Sequence, residues 1–82
     1  MEKIFEQAML YDFYGELLKD NQKEVFENYV LDNLSLSEIA EERNISRQAV
    51  YDMIKRADRA LNEYEDKLHL LEKFLTIKDD VN

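Results

Sequence analysis

The sequence predicts an all-α protein built around a helix-turn-helix, with long N- and C-terminal helices that pack together. Its 82 residues include one Gly and no Pro, so little is available for hairpins. Apolar residues recur at helical spacing, and capping residues mark two consecutive helix starts near the middle. We expect one wingless domain over residues 1–82, with helices at about 4–18, 21–32, 36–43, 46–66 and 67–77.

The first predicted helix, residues 4–18, is apolar on more than one side. It carries aromatic residues such as Tyr11, Phe13 and Tyr14 around much of its circumference. A helix of this kind usually packs on two sides, which indicates a subunit interface and hence a homodimer. Alternatively, Tyr11 and Tyr14 lie at the surface with their hydroxyls in water. The residues leave both interpretations open.

The second predicted helix supports the helix-turn-helix as the third member of a trihelical core. Asp20 or Asn21 is placed to cap its start. Its outer face carries Glu24 and Glu27, which we expect to be ordinary solvated charges. One face of this helix is predicted to be buried, with Val25, Phe26, Tyr29 and Val30.

Two capping signals mark the helix-turn-helix itself. Ser35 and Glu38 have the spacing of a capping box, in which each side chain bonds the other residue's backbone N–H. Ser46 is placed to accept a bond from a free N–H at the start of the next helix. Apolar pairs spaced as hydrophobic staples flank the two caps: Leu34 with Ile39, and Ile45 with Val50.

The segment between the two helices fits the tight turn of this motif. Asn44 lies where φ > 0 is expected, and Asn is among the few residues besides Gly that tolerate it. Ala40 lies where the helices would cross closely, so only a small side chain fits. The second helix is therefore predicted to be a recognition helix for the DNA major groove. Apolar residues lie where the second helix must pack on the first. They are Ile39, Ile45, Val50 and Met53.

A heptad pattern continues beyond the helix-turn-helix. It predicts one long helix, bent near Asp66, that packs on the first helix of its own subunit or of a partner. The polar residues from Lys78 to Asn82 are expected to fray. The apolar positions recur at alternating intervals of three and four: Ile54, Ala57, Leu61, Tyr64, Leu68, Leu71 and Leu75.

Charge is unevenly distributed along the chain, whose formal net charge is −8. Residues 1–32 carry eight acids and three bases, and residues 61–82 carry six and three. Residues 46–60 instead carry four bases and two acids. Because nucleic-acid affinity comes largely from neutralising phosphates, only this locally positive helix suits such contact. The acidic remainder equally fits weak affinity for DNA, or a basic protein partner.

One exposed stripe of the recognition helix supplies the candidate contacts. Residues in its first turns approach base edges, whereas those further along, together with Arg43 before the turn, are expected to contact phosphate. Alternatively, these bases form ion pairs along their own helices, and Asp52 on the same stripe repels phosphate unless it is paired. The predicted nucleic-acid-binding residues are Arg43, Ser46, Arg47, Gln48, Tyr51, Lys55 and Arg59.

Catalytic, metal-dependent and membrane functions find no support in the sequence. The chain has no Cys, which excludes disulfides and thiol chemistry. His69 is predicted to be a partly exposed helix residue without carboxylates spaced to form a metal site. No apolar run approaches the roughly 20 residues of a membrane span, and Glu2, Glu6 and Asp12 interrupt any signal peptide. We expect a cytoplasmic, non-enzymatic protein without a cofactor.

The segment from Leu36-Ser-Glu-Ile-Ala to Ile45-Ser-Arg-Gln-Ala-Val-Tyr resembles region 4 of bacterial sigma factors, which reads the promoter −35 element. Nearly the whole chain is similar to the YlxM family of small bacterial proteins, although Asn44 replaces the usual Gly of the turn. The matching residues are Asp12-Phe-Tyr, Leu17-Leu18, Gln22, Tyr29, Leu31-Asp32, Leu34-Ser35-Leu36, Glu38-Ile-Ala-Glu-Glu, Ser46-Arg-Gln-Ala-Val-Tyr-Asp, Ile54-Lys-Arg, Tyr64-Glu65 and Lys67-Leu-His-Leu.

The resemblance implies a helical, sigma-region-4-like fold and a regulatory role in the signal recognition particle pathway. That family is associated with the particle by gene neighbourhood, and its members often carry a longer charged tail. The expected partner is nucleic acid, either DNA or the particle's RNA. The alternative is an adaptor that docks the particle's GTPase without reading DNA.

Overall fold

The computed structural model describes the backbone of residues 3–80 and the side chains of residues 3–77. Within these residues there are α-helices and no strands, which confirms the predicted all-α fold. A short 3₁₀ turn, Gly15–Leu17, follows the first helix. The helices are α1 (Lys3–Tyr14), α2 (Asp20–Val30), α3 (Leu36–Arg43), α4 (Arg47–Leu68) and α5 (Leu70–Asp80).

The first helix ends at Tyr14, four residues earlier than predicted, and the Tyr11 ring lies directly beside Gly15. A Cβ added at Gly15 would lie 2.7 Å from Cε1 of the Tyr11 ring. That ring stacks on Phe26 of α2, with 5.7 Å between the ring centroids. After Tyr14, the last residue of α1, the backbone continues as the 3₁₀ turn Gly15–Leu17.

The two tyrosines of α1 are buried, which excludes the alternative that they lie at the surface with their hydroxyls in water. Tyr11 is 8% exposed and Tyr14 1% exposed. The Tyr11 hydroxyl donates to the carboxylate of Glu27, and the Tyr14 hydroxyl donates to Glu65. Burial, followed by these carboxylate partners, raises the pKa of both hydroxyls. Glu27 is therefore a half-buried hydrogen-bond acceptor for α1 and not the solvated charge that we predicted.

The start of α2 also differs from the prediction. Lys19 is the N-cap and makes no side-chain capping bond, while Asp20 is the first helical residue. A carboxylate in the first turn still interacts favourably with the helix dipole, which explains why an acid begins this helix. The inner face is as predicted, with Val25 and Phe26 fully buried.

The caps of the helix-turn-helix are confirmed. Ser35 Oγ accepts from the Glu38 N–H at 3.1 Å, and the Glu38 carboxylate accepts from the Ser35 N–H at 2.9 Å. These bonds hold the pKa of Glu38 below its usual range. Asn44 is left-handed at φ 57°, as predicted. Ser46 Oγ accepts from the Ala49 N–H at 3.0 Å.

One predicted clamp residue of this motif is misplaced. Ile45 is 38% exposed, whereas Ile39 and Val50 are fully buried. The left-handed Asn44 turns the chain so that the Ile45 N–H bonds the Ala40 carbonyl at 3.0 Å. This bond closes the end of α3 and leaves the Ile45 side chain at the surface, so only its backbone fixes the turn.

The N-terminal helix packs in parallel along α4. Gln7 Nε2 donates to Asp58 at 3.1 Å and the Tyr14 hydroxyl donates to Glu65 at 2.5 Å. Both pairs are separated by 51 positions, so the two helices keep one register over two turns. The core lies between these helices and α2, around buried α4 residues that include Ile54, Ala57 and Leu61.

The predicted heptad seam is interrupted, because α4 ends one residue before the left-handed His69. Leu68 is consequently exposed, while Leu71 after the break is buried. The seam packs on α1 of its own chain. The last helix runs to Asp80 and not to residue 77, and Val81–Asn82 of the predicted tail lie outside the described residues. No helix within residues 3–80 combines the length and apolar character that crossing a membrane requires.

Candidate nucleic-acid interface

The exposed face of α4 gathers most of the predicted contact residues. The helix starts at Arg47, directly after its Ser46 cap, and its opposite face is buried through Val50, Ile54 and Ala57. At about 100° per residue, the other face forms a continuous solvent-exposed surface. This surface, here called the reading face, consists of Arg47, Gln48, Tyr51, Asp52, Lys55 and Arg59.

Tyr51 and Lys55 form one unit at the centre of the reading face. The Lys55 Nζ lies 5.5 Å from the centroid of the Tyr51 ring, within the range of a cation–π interaction. Tyr51 is 43% exposed, so its outer ring surface and hydroxyl stay accessible. The contact orients the ammonium group along the helix surface, where a phosphate oxygen could accept from it.

Gln48 forms a hydrogen bond with Asp52, the one acidic residue of the reading face. Its side-chain amide donates to Asp52 Oδ1 at 3.1 Å across one helical turn. The bond occupies one amide N–H and leaves the Gln48 carbonyl oxygen free to accept. Asp52 keeps its negative charge, so the reading face is not purely basic.

The basic residues of α4 are available for contact. Within residues 3–77, none of Arg47, Lys55, Arg56 and Arg59 forms an ion pair. The alternative in which the bases of this helix form ion pairs along it, such as Arg56 with Asp52 four residues before, is therefore absent there. These four basic groups thus lie within the first 13 residues of α4, and its fifth base, Lys67, lies in the last turn.

The side chains of Arg43 and Ser46 already have hydrogen-bond partners within the chain. The Arg43 side chain is 26% exposed and its Nη1 bonds Glu24 of α2 at 3.3 Å. With the Asn28 amide oriented to satisfy its neighbours, the Asn28 oxygen also accepts from Arg43 Nη2 at 3.1 Å. Ser46 uses its oxygen as the cap of α4. The structure thus separates Arg43 from the reading face and gives Ser46 a structural role beside it.

A groove beside the reading face adds a residue that the sequence analysis missed. The cleft, about 270 Å³, lies between α1, α2 and α4, and both Lys3 and Lys55 line it together with Tyr51. Lys3 reaches this position because α1 packs in parallel with α4, which places its first turn beside Ile54. No local sequence signal encodes that register, so Lys3 could not be found from its own surroundings.

Carboxylates also surround His69, contrary to the sequence expectation. Ligand-type atoms of Glu65, His69 and Glu72 lie within 4.8 Å of one another, at spacings of four and three residues. Glu65 already accepts bonds from Tyr14 and from the N–H groups of Leu71 and Glu72. These bonds explain the cluster as the cap of α5.

The whole chain is similar to one protein family. Residues 1–81 match the family model described as "Putative helix-turn-helix protein, YlxM / p13 like" (UPF0122). The chain belongs to the YlxM / p13-like family. The resemblance inferred from the sequence is therefore confirmed.

Close relatives occur in several bacteria, and each is named only as a UPF0122 protein. The relative from Bacillus thuringiensis is 55% identical over 74 residues, which cover 90% of this chain and 67% of the relative. Those from Shouchella clausii and Acetivibrio thermocellus are each 51% identical, over 93% and 96% of this chain and 70% and 68% of theirs. The names of these relatives state no substrate or partner.

Proposed function

We propose that this protein is a non-catalytic regulator that binds duplex DNA through the reading face of α4. One observation carries the proposal: in a net-acidic chain, four exposed bases without ion pairs within residues 3–77 lie close together on the second helix of a helix-turn-helix, namely Arg47, Lys55, Arg56 and Arg59. Helices in this position commonly enter the major groove with their N-terminal residues against base edges.

The order of side chains along α4 supports separate roles. Arg47, Gln48 and Tyr51 lie in the first turns and are proposed to contact base edges. Arg47 offers two parallel donors for guanine, and the free Gln48 carbonyl offers an acceptor. Lys55 and Arg59 lie one and two turns further on, where the helix leaves the groove and phosphate is the expected partner.

Three further residues bear on this surface. Lys3 lines the groove beside Lys55, so we include it as an additional phosphate contact. Arg43 would have to leave Glu24 to reach a phosphate, so its contribution is expected to be smaller than that of Arg47. Ser46 would contribute by holding the start of α4 in place.

The family context also suggests the RNA of the signal recognition particle as a target. The major groove of A-form RNA is deep and narrow, so α4 could not enter it. RNA would instead have to meet Arg47 and Lys55 through loops, ends or the minor groove. The rod-like reading face therefore favours DNA.

A salt titration tests the proposal. Purified protein is titrated onto labelled duplex DNA and onto the particle RNA at several salt concentrations. Phosphate contacts predict that log K falls linearly with log salt, with a slope of about −0.9 per phosphate on duplex DNA. Arg47→Ala with Lys55→Ala should weaken binding and flatten the slope by about one to two units.

The matched control removes the same charge elsewhere. Lys19→Ala with Lys67→Ala changes two exposed bases outside the reading face, so it should alter affinity far less. Equal losses in both double variants would mean that only net charge matters. Unchanged affinity on loss of Arg47 and Lys55 would show that α4 does not read nucleic acid.

A second candidate function is an adaptor that docks a basic partner, such as the particle's GTPase. The observation that favours it is the excess of acids in residues 1–32, of which Asp12, Glu16 and Asp20 are exposed. Under this hypothesis, Asp12→Asn with Asp20→Asn weakens GTPase binding, whereas Arg47→Ala leaves it unchanged. The two hypotheses therefore differ in which substitutions weaken binding: those in residues 1–32 or those on α4.

A further inference from the structure

The last helix is poorly covered by the rest of the protein. Within the described side chains of α5, Leu71 is buried and Leu75 is half-buried against the core. Leu70, Phe74 and Ile77 remain exposed, spaced as one stripe beside the buried one. Together the two stripes cover about 160° of the helix circumference, and the stripe of Leu70, Phe74 and Ile77 is left uncovered.

The exposed stripe continues onto α1. Phe13 meets Phe74 edge to face, with 5.8 Å between the ring centroids. Leu17 lies one turn after Phe13 and is also exposed. These five residues, Phe13, Leu17, Leu70, Phe74 and Ile77, are called the α1–α5 patch.

The size of the α1–α5 patch matches the apolar part of a dimer interface. Its five side chains are 38% to 63% exposed. Since each presents roughly 150–250 Å² when fully exposed, the uncovered apolar area is on the order of 500 Å². A stable interface buries about 800 Å² per partner, of which about 65% is apolar in homodimers, again roughly 500 Å².

Two exposed side chains of opposite charge lie near the patch. Lys73 is exposed at one edge, and Glu6 is exposed on α1, two turns before Phe13 on the same side. Neither forms an ion pair within residues 3–77. In an isologous interface, any contact between Lys73 of one copy and Glu6 of the other would form twice.

We propose that the α1–α5 patch is the interface of a homodimer, in which a second copy of this chain covers it. This proposal does not depend on nucleic-acid binding. The patch lies at the C-terminal end of α4, which is about 33 Å long, while Arg47 lies at the other end. The proposed interface therefore leaves the reading face of each copy uncovered.

Sedimentation equilibrium of the full chain over a range of concentrations tests the proposal. The wild type should have a mass about twice 9.9 kDa. Ile77→Lys should raise the dimer dissociation constant at least about tenfold, because the substitution places a charge in the interface twice. Ile77 is 63% exposed, so the change removes little packing within the subunit. Circular dichroism checks that the variant stays folded.

The matched control is Leu31→Lys, which introduces the same charge at another exposed apolar residue, at the end of α2. It should leave the dimer intact. A monomeric wild type would overturn the proposal, and so would a dimer that tolerates both Ile77→Lys and Phe74→Lys.

Salt distinguishes this proposal from the proposed function. Each copy carries a net charge of −8, so dimerisation should hold or strengthen as salt screens the repulsion. DNA binding should weaken under the same conditions. A salt-stable dimer that fails to bind DNA would support the proposed interface and reject only the proposed DNA binding. A monomer that binds DNA would reject the interface and support the DNA binding.

Discussion

The Tyr14 hydroxyl donates to Glu65 Oε1 at 2.5 Å and accepts from the Leu70 N–H at 3.1 Å. The same Glu65 carboxylate accepts from the N–H groups of Leu71 and Glu72, each at 3.0 Å. One residue pair therefore joins α1 to α4 and caps α5 across the left-handed His69. The orientation of α5, and with it the α1–α5 patch, depends on this pair.

Loss of the Tyr14 hydroxyl should destabilise the protein. Tyr14 is buried and its hydroxyl bonds a carboxylate, so Tyr14→Phe should lower the free energy of unfolding by about 1–3 kcal/mol. Urea denaturation measures the change. Tyr29→Phe is the control, because Tyr29 is less buried. If the losses of unfolding free energy caused by Tyr14→Phe and by Glu65→Gln add up in the double variant, the two residues do not act together as described.

The contribution of Glu65 should disappear in acid. Burial would raise the pKa of Glu65, but the bonds from Tyr14, Leu71 and Glu72 outweigh it and lower the pKa. A lowered folded-state pKa gives stability that is full above the ordinary Glu value of about 4.3 and is lost as pH falls through the folded value.

The expected result is that wild type exceeds Glu65→Gln in stability near neutral pH and that the difference shrinks below about pH 4. Denaturation at several pH values measures it. Glu63→Gln, which changes an exposed neighbour, should show no such convergence. A pH-independent difference would contradict the role of the ionised carboxylate.

Gly15→Ala should be destabilising, although Gly→Ala in a helical segment is usually favourable. The new Cβ would lie 2.7 Å from Tyr11 Cε1, so the ring must move away from Phe26. Overpacking of this kind costs about 1–3 kcal/mol. In a Tyr11→Leu background the same substitution should cost much less, and an equal cost there would show that the ring is not the obstacle.

Removal of the helix caps should destabilise the helix-turn-helix selectively. Ser35→Ala and Ser46→Ala each remove a side-chain acceptor for a free N–H and should cost about 0.5–2 kcal/mol. Ser37→Ala is the control, because Ser37 is exposed within α3 and makes no capping bond. Thermal unfolding measures the three variants, and equal effects would show that the caps contribute nothing specific.

The sequence by itself determined the features that depend on neighbouring residues. The capping box at Ser35, the left-handed Asn44 and the cap at Ser46 follow from bonds spanning a few positions. The buried and exposed sides of α4 follow from helical periodicity, so the residues of the reading face are predictable from their spacing alone. Family membership followed from the same segments.

Only the tertiary structure decided the features that depend on residues far apart in the chain. The parallel register of α1 on α4 pairs positions 51 apart, and it places Tyr14 on Glu65 and Lys3 beside Lys55. Tyr11 stacks on Phe26 of α2, and Arg43 bonds Glu24 of another helix. The break at His69 is stabilised by the distant Tyr14 hydroxyl. Periodicity shows which face of a helix is buried, but the partner helix and its register are fixed by side-chain packing between helices, which local patterns do not encode.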